Sequence, residues 1–146
     1  MLAGRLVSLI EAHADELAGR VQTRLHGDGR LAAYHRLDPG ELRTRAGRVF
    51  LHLGEWLERA SDRELEAEYV ELGRARRVER IPLSEVVLAL LLTRRTLWQF
   101  VESQPADTVL EVRQQLELEL LVVRFFDRAI LHAVRGYETA AVAASR

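Results

Sequence analysis

Arg94 lies inside the most apolar stretch of the chain, which runs from Leu83 to Val101. A helix turns about 100° per residue, so Leu83, Val86, Val87, Leu90, Leu91, Leu97, Trp98 and Val101 form one stripe with Arg94 at its centre. A guanidinium in that position needs a carboxylate, a ligand or water, because a buried charge that loses its partner costs ~3–5 kcal/mol. Asp127 holds the matching place on a second stripe, Val109, Val112, Leu116, Leu120, Val123, Ile130, Leu131 and Val134. Arg76 continues the line Leu65, Tyr69, Leu72, and His13 sits between Leu6, Ile10 and Leu17. Four helical stripes thus each hold one polar group where a hydrocarbon is expected. Arg94 and Asp127 are the natural bidentate pair. The cluster has two uses: an ion-pair network that sets helix register, or a pocket in which Arg76 or Arg94 grips a small anion. A third reading is that one of these side chains snorkels to the surface.

Other arrangements give less. His13 and Glu16, like His52 and Glu55, stand three apart on a helix. Di-iron bundles use the reverse order, Glu-x-x-His, with further inward carboxylates, so solvated charge is the better reading. Haem would need an inward histidine in an open pocket, and nothing around His13, His52 or His132 singles one out. Gly73-Arg-Ala-Arg-Arg77 lies within a helical pattern and not after a strand, so it is no phosphate loop. Arg74, Arg76, Arg77 and Arg80 make a local basic patch without interleaved aromatics, which reads as a solvated face. No catalytic signature, metal site or cofactor is expected.

Composition narrows the classes further. The 146 residues make one domain, with 48% hydrophobic and 29% charged residues, a globular balance. All 21 basic residues are arginine, and the net charge of −1 gives no bulk attraction to nucleic acid or an anionic membrane. Cysteine is absent, which removes disulfides, thiolate sites and cysteine nucleophiles. The N-terminus soon acquires Glu11, Asp15 and Glu16, unlike a signal peptide. The longest uncharged run, Val86 to Thr93, falls short of the ~20 residues of a membrane span. The expected location is cytoplasmic.

The elements that must position these residues are all helical. The periodicity predicts about five helices. Helix one covers residues 2–26, followed by a break at Gly27-Asp28-Gly29 and a turn near Leu31 to His35. Asp38-Pro39-Gly40-Glu41 reads as a cap, a proline at the first helical position and a capping-box glutamate, opening helix two to about Ala60. Ser61-Asp62-Arg63-Glu64 is a second capping box and opens helix three to about Val78. Helix four starts at Ile81-Pro82 and ends near Ser103. The last helix runs from about Asp107 to Ala144, far beyond the mean of ~11–12 residues. Gly136 reads as a weak point in it, and the tail beyond as a connector.

Two helices are apolar on a second side. The last one adds Leu118, Leu121, Val122, Phe125, Phe126 and Ala129, and helix four adds Leu88, Leu92 and Phe100. A small domain cannot bury helices all round unless a partner covers them. A symmetric homodimer through Leu88, Leu92, Leu118, Leu121, Val122, Phe125 and Phe126 is therefore expected, as an intermolecular four-helix bundle.

The stretch from Tyr69 through Gly73, Arg76 and Ile81-Pro82-Leu83 to Glu85-Val86-Val87, followed by Arg94-Arg95-Thr96-Leu97-Trp98, resembles the N-terminal helical domains of RsbR-type regulators. The likeness is to the RsbRD amino-terminal family in particular, and such domains are similar to input segments of some sensor kinases and transcription regulators. His13 before Asp15-Glu16-Leu17 fits loosely. The resemblance implies a globin-like helical fold without haem, a dimer through the last two helices, and a signal passed along the C-terminal helix. It also implies that Arg76 and Arg94 are the family's characteristic polar residues. The expected function is a non-enzymatic signalling input domain acting on a downstream signalling protein or a fused output module. The rivals are a haem or small-ligand carrier and a ligand-free interaction adaptor.

Overall fold

The computed structural model describes residues 1–144. Among them are seven α-helices: α1 (Gly4–Ala12), α2 (Ala14–Gly27), α3 (Pro39–Leu51), α4 (Leu53–Glu58), α5 (Asp62–Val78), α6 (Leu83–Glu102) and α7 (Val109–Ala144). Two short 3-10 segments, Gly29–Leu31 and Ala33–Arg36, join α2 to α3. The expected count of about five is low because two of the expected helices break, each at a histidine. His13 leaves helical geometry at φ −108°, ψ 18°, and its N–H is shared between the Leu9 and Ile10 carbonyls. Its ring Nδ1 also lies 2.8 Å from the Leu9 carbonyl oxygen. His52 breaks the next helix at φ −115°, ψ 29°. Both helix starts identified by their caps are present. Asp38 accepts from the Gly40 N–H with Pro39 at the first turn, and Ser61 and Glu64 form the full reciprocal box.

The long helix α7 organises the rest. It packs most extensively on α5 and also on α6, while α2 lies against α3 and α6, and α1 against α3 and α4. The α5–α7 crossing is a backbone-to-backbone contact. A Cβ built on Gly73 would lie 1.9 Å from the Ala133 carbonyl oxygen, and one on Gly136 would lie 2.1 Å from that of Val70. Only glycine fits at either place. Gly136 is thus no weak point; it is where α7 is held most closely. Packing continues one residue further, where buried Tyr137 donates its hydroxyl proton to the Ile81 carbonyl at 2.6 Å.

This crossing fixes which side of α7 faces inward. Leu118, Val122, Phe125, Phe126, Ala129 and Ala133 are buried. Val109, Val112, Leu116, Leu120, Val123 and Leu131 are 36–72% exposed. The two stripes read from the sequence are therefore interchanged: the one assigned to the core faces out. Helix α6 is likewise rotated by about a quarter turn from the expected orientation. Its buried face is Glu85, Val86, Ala89, Leu90, Leu92, Thr96, Leu97, Phe100 and Val101.

The turn from α5 to α6 shapes the region around Arg76. Ile81 N–H bonds to the Arg76 carbonyl at 2.9 Å and Arg80 N–H to that of Arg77 at 3.0 Å, the two bonds of a Schellman ending. Arg80 occupies the left-handed position at φ 60°, where glycine is the usual residue.

Two stability measurements by urea denaturation follow. Gly73→Ala should cost about 3 kcal/mol, at the upper end for overpacking, whereas Gly4→Ala, with nothing within 4 Å of its Cβ, should be neutral or stabilising by up to ~1 kcal/mol. Equal effects would show that the α5–α7 backbones do not approach closely. Arg80→Gly should stabilise by about 1 kcal/mol by removing left-handed strain; a loss of stability would mean that the arginine side chain is needed there.

Candidate functional site

Arg76 is the one candidate that the fold buries completely, at 2% exposure. It stands in the last turn of α5, where the C-terminal end of the helix dipole favours a cation. Its Nη1 donates to Glu79 at 3.0 Å and its Nη2 to Glu41 at 3.1 Å. The guanidinium carbon sits 5.4 Å from the centre of the Tyr34 ring, a cation–π contact. Arg45 donates to the same Glu41 at 2.6 Å. The network therefore has two guanidiniums and two carboxylates and is locally neutral. Glu85, also buried, accepts from the backbone N–H groups of Ala33 and Tyr34 at 2.9 and 3.4 Å, which fixes the 3-10 segment beneath the guanidinium.

Electrostatics agree with the geometry. Burial alone would push the Glu41 carboxyl up, but the hydrogen bond from Arg45 and the charge of Arg76 hold it below its ordinary value. Burial pushes the Tyr34 phenol up, and the neighbouring Arg76 charge offsets part of that rise. Burial drives the Tyr69 phenol well above the tyrosine range. Among the described residues, no group of three His, Asp or Glu side chains could hold a metal ion, and no helix is long and apolar enough to cross a membrane.

Beside Arg76 lies a cavity of about 70 Å³. Val21, Leu25, Leu42, Val49, Leu72, Leu90 and Phe126 are among its apolar lining residues, and Tyr34, Arg45, Glu68, Tyr69, Arg76 and Thr93 are its polar ones.

The other three candidates do not join this site. Arg94 is half-buried in a surface groove between α6 and α7, beside Leu91, Arg95, Trp98, Glu119 and Val123. Asp127 is exposed and lies in a separate groove with Leu57, Leu121, Arg124 and Arg128. The expected Arg94–Asp127 bond is absent, because both helices are turned away from the assumed orientation. His13 sits half-buried at the α1–α2 junction with its ring 5.5 Å from that of Phe100. Of the expected seam residues, Leu92, Leu118, Val122, Phe125 and Phe126 are buried within the chain itself, and Leu88 and Leu121 are half-buried. These side chains already have partners in the core, with Phe125 packing edge-on against Trp56, Tyr69 and Phe126.

Sequence reading missed Glu41, Glu79, Tyr34 and Glu85. Glu41 was assigned to a capping box; it turns instead to Arg45 and Arg76. Glu79 was legible, since it stands three residues after Arg76 on the same helix face. Tyr34 had no periodic context in its short segment, and Glu85 needs the tertiary fold to show its role.

Residues 9–146 match the RsbT co-antagonist protein rsbRD N-terminal domain. The chain belongs to this family. The match spans the Arg76 network, the cavity and all of α7 as described, and it supports a regulatory domain of stress signalling. No curated protein and no solved structure matches the chain, so the globin-like arrangement implied by the resemblance has no structural relative behind it.

The network sets a pH-dependent stability. A carboxyl held below its ordinary value of 4.5 contributes stability that is fully present above that pH and is lost as pH falls through the lower folded value. Glu41→Gln should therefore destabilise by roughly 1–3 kcal/mol at pH 7, less than a full buried-pair loss because Glu79 remains and Glu41 is partly exposed. The deficit should shrink below pH 4.5 as Glu41 of the unmodified chain is protonated. A deficit independent of pH in chemical denaturation would show that packing, and not charge, is what the substitution removes.

Proposed function

We propose that this chain is a non-enzymatic signalling input domain of the cytoplasm, which pairs with a second copy through α7 and acts on a downstream signalling protein or a fused output module. Family membership supports the regulatory part. The observation that carries the pairing is the outward stripe of α7. Val109, Val112, Leu116, Leu120, Val123 and Leu131 are exposed, and with Asp127 they recur at spacings of three, four and four. That is an eleven-residue repeat, which stays close to the natural turn of a helix and keeps one face aligned over ~33 Å at 1.5 Å per residue. Exposed apolar side chains aligned along one helix face in this way mark an interaction surface. Two such strips related by a two-fold axis cover each other, as in most homo-oligomers. Asp127 interrupts the strip, and a polar residue in an apolar seam is a known device for fixing register.

This seam differs from the one expected from the sequence, and the difference is measurable. Leu120→Glu places a charge on the outward strip and should give a folded monomer with helical circular dichroism unchanged. Phe125→Glu puts a charge in the core, 1% exposed, and should unfold the chain. Sedimentation equilibrium on the unmodified protein should give a dimer. A monomer at tens of micromolar, or a dimer indifferent to Leu120→Glu, would sink the reading.

A further inference from the structure

Two charged side chains beside the outward strip of α7 have no partner. Arg94 stands half-buried in the groove between α6 and α7, with Leu91, Trp98 and Val123. Asp127 stands exposed on the centre line of the strip and borders a second groove, with Leu57 of α4 and Arg128. Among the described residues neither side chain makes an ion pair or a hydrogen bond, whereas Arg128 is held by Asp62 at 3.6 Å. The two grooves flank the strip on opposite sides. Glu119 and Val122 face the α6 side and Leu121 and Phe125 the α4 side, roughly 80–140° to either side of the strip on a helix turning ~100° per residue. A half-buried guanidinium is best satisfied by a carboxylate, and the chain's own Asp127 is on the wrong flank to supply one.

We propose that α7 pairs antiparallel with α7 of a second copy, and that Arg94 of each copy binds Asp127 of the other. The inference rests on the dimer reading above and adds to it an orientation and an ionic contact. A two-fold axis perpendicular to α7 exchanges the flanks, so the α6 groove of one copy lies over the α4 groove of its mate. It also reverses direction. A crossing centred between Val123 and Arg124 sets Leu116 against Leu131 and Leu120 against Asp127. The groove of Arg94, at the level of Glu119 to Val123, then faces the level of Arg124 to Arg128 on the mate. Arg124 and Glu119, also without ion pairs among the described residues, fall on facing flanks by the same operation. A two-fold axis parallel to α7 would instead set every strip residue against its own copy. Asp127 would then meet Asp127 in an apolar seam, two like charges without a counter-charge, which is strongly disfavoured. Charge complementarity thus selects both the occupant of the strip and its direction.

The chain has no cysteine, so single introduced cysteines report the direction of pairing cleanly. Leu116→Cys mixed with Leu131→Cys should give a disulfide-linked dimer under mild oxidation, and Leu116→Cys alone should give little. Charge reversal tests the ion pair. Arg94→Asp alone and Asp127→Arg alone each set like charges against each other twice per dimer, and should weaken self-association by about tenfold or more in sedimentation. An equimolar mixture of the two restores both pairs and should dimerise as tightly as the unmodified protein, as mixed dimers. Arg36→Asp, the same charge change outside the strip and both grooves, should show no such preference for Asp127→Arg. If Arg94→Asp does not fold, Arg94→Gln and Asp127→Asn take its place: each should weaken the dimer, and the double variant no further than either alone. Reversals that leave self-association unchanged, or a mixture that keeps to its own kind, would overturn the ion pair. Leu116→Cys linking to itself would overturn the antiparallel seam. In both cases a dimer that Leu120→Glu still breaks leaves the dimer reading standing, whereas a monomeric unmodified protein removes both.

Discussion

Helices α5 and α7 touch through their backbones at Gly73 and Gly136, and most of the architecture follows from that approach. Ala129, Ala133 and Gly136 share one side of α7, and their small size lets the two helices close without side chains between them. With that side against α5, Phe125 and Phe126 must point into the core, where they meet Tyr69 and Trp56. The opposite side then has no choice but to face outward. The same contact places Tyr137 over the α5–α6 turn, where its hydroxyl closes on the Ile81 carbonyl. One constraint thus sets the rotation of the longest helix, the composition of the core and the position of the turn that follows Arg76.

Burying Arg76 is costly in isolation, and the chain offsets it in three ways. Two carboxylates take the terminal nitrogens, the Tyr34 ring lies under the guanidinium plane, and the dipole of α5 ends at the same point. The compensation comes from three separate segments, α3, the 3-10 turn and α5, so the guanidinium ties together parts of the chain that share few other contacts. Such a network is weak evidence for stability, because a hydrocarbon of equal volume would avoid the desolvation altogether. Its stronger consequence is specific placement: Glu85 fixes Tyr34, Tyr34 and Glu41 fix Arg76, and Arg76 borders the cavity.

Much of the fold was legible because it is local. Caps at Asp38 and Ser61, the Ile81-Pro82 start and the extent of α7 are written in neighbouring residues, and each stands where the sequence places it. Orientation was not legible in the same way. α7 has two apolar stripes of similar strength, and hydrophobicity alone does not say which one is inside. The deciding signal was residue size: the stripe with Ala129, Ala133 and Gly136 can approach another backbone, and the stripe with Leu116, Leu120 and Leu131 cannot. Reading glycine as a weak point obscured this. The same error of rotation on α6 made Arg94 look central when Ala89, Thr93 and Thr96 mark the inward face. Arg76 was legible because its stripe, Leu65, Tyr69 and Leu72, has no competitor on α5. Its partners were not, since Glu41 satisfies a local capping rule equally well and only the tertiary fold takes it elsewhere.

The geometry also limits how α7 can transmit anything. Rotation about its own axis would swing a neighbouring side chain such as that of Tyr137 towards the Val70 carbonyl, where no Cβ fits. Sliding by a turn would meet the same obstacle. Tilting about the Gly73–Gly136 contact preserves it, and moves the segment from Val109 to Phe126 only together with the core that holds Leu118, Val122, Phe125 and Phe126. That segment has Phe126 on the cavity wall and Val123, less than one turn away, on the outward strip. The two surfaces are thus joined by a single helix held at one end. A change on one of these two surfaces reaches the other through the tilt of α7, to the extent that each surface favours one tilt angle over another.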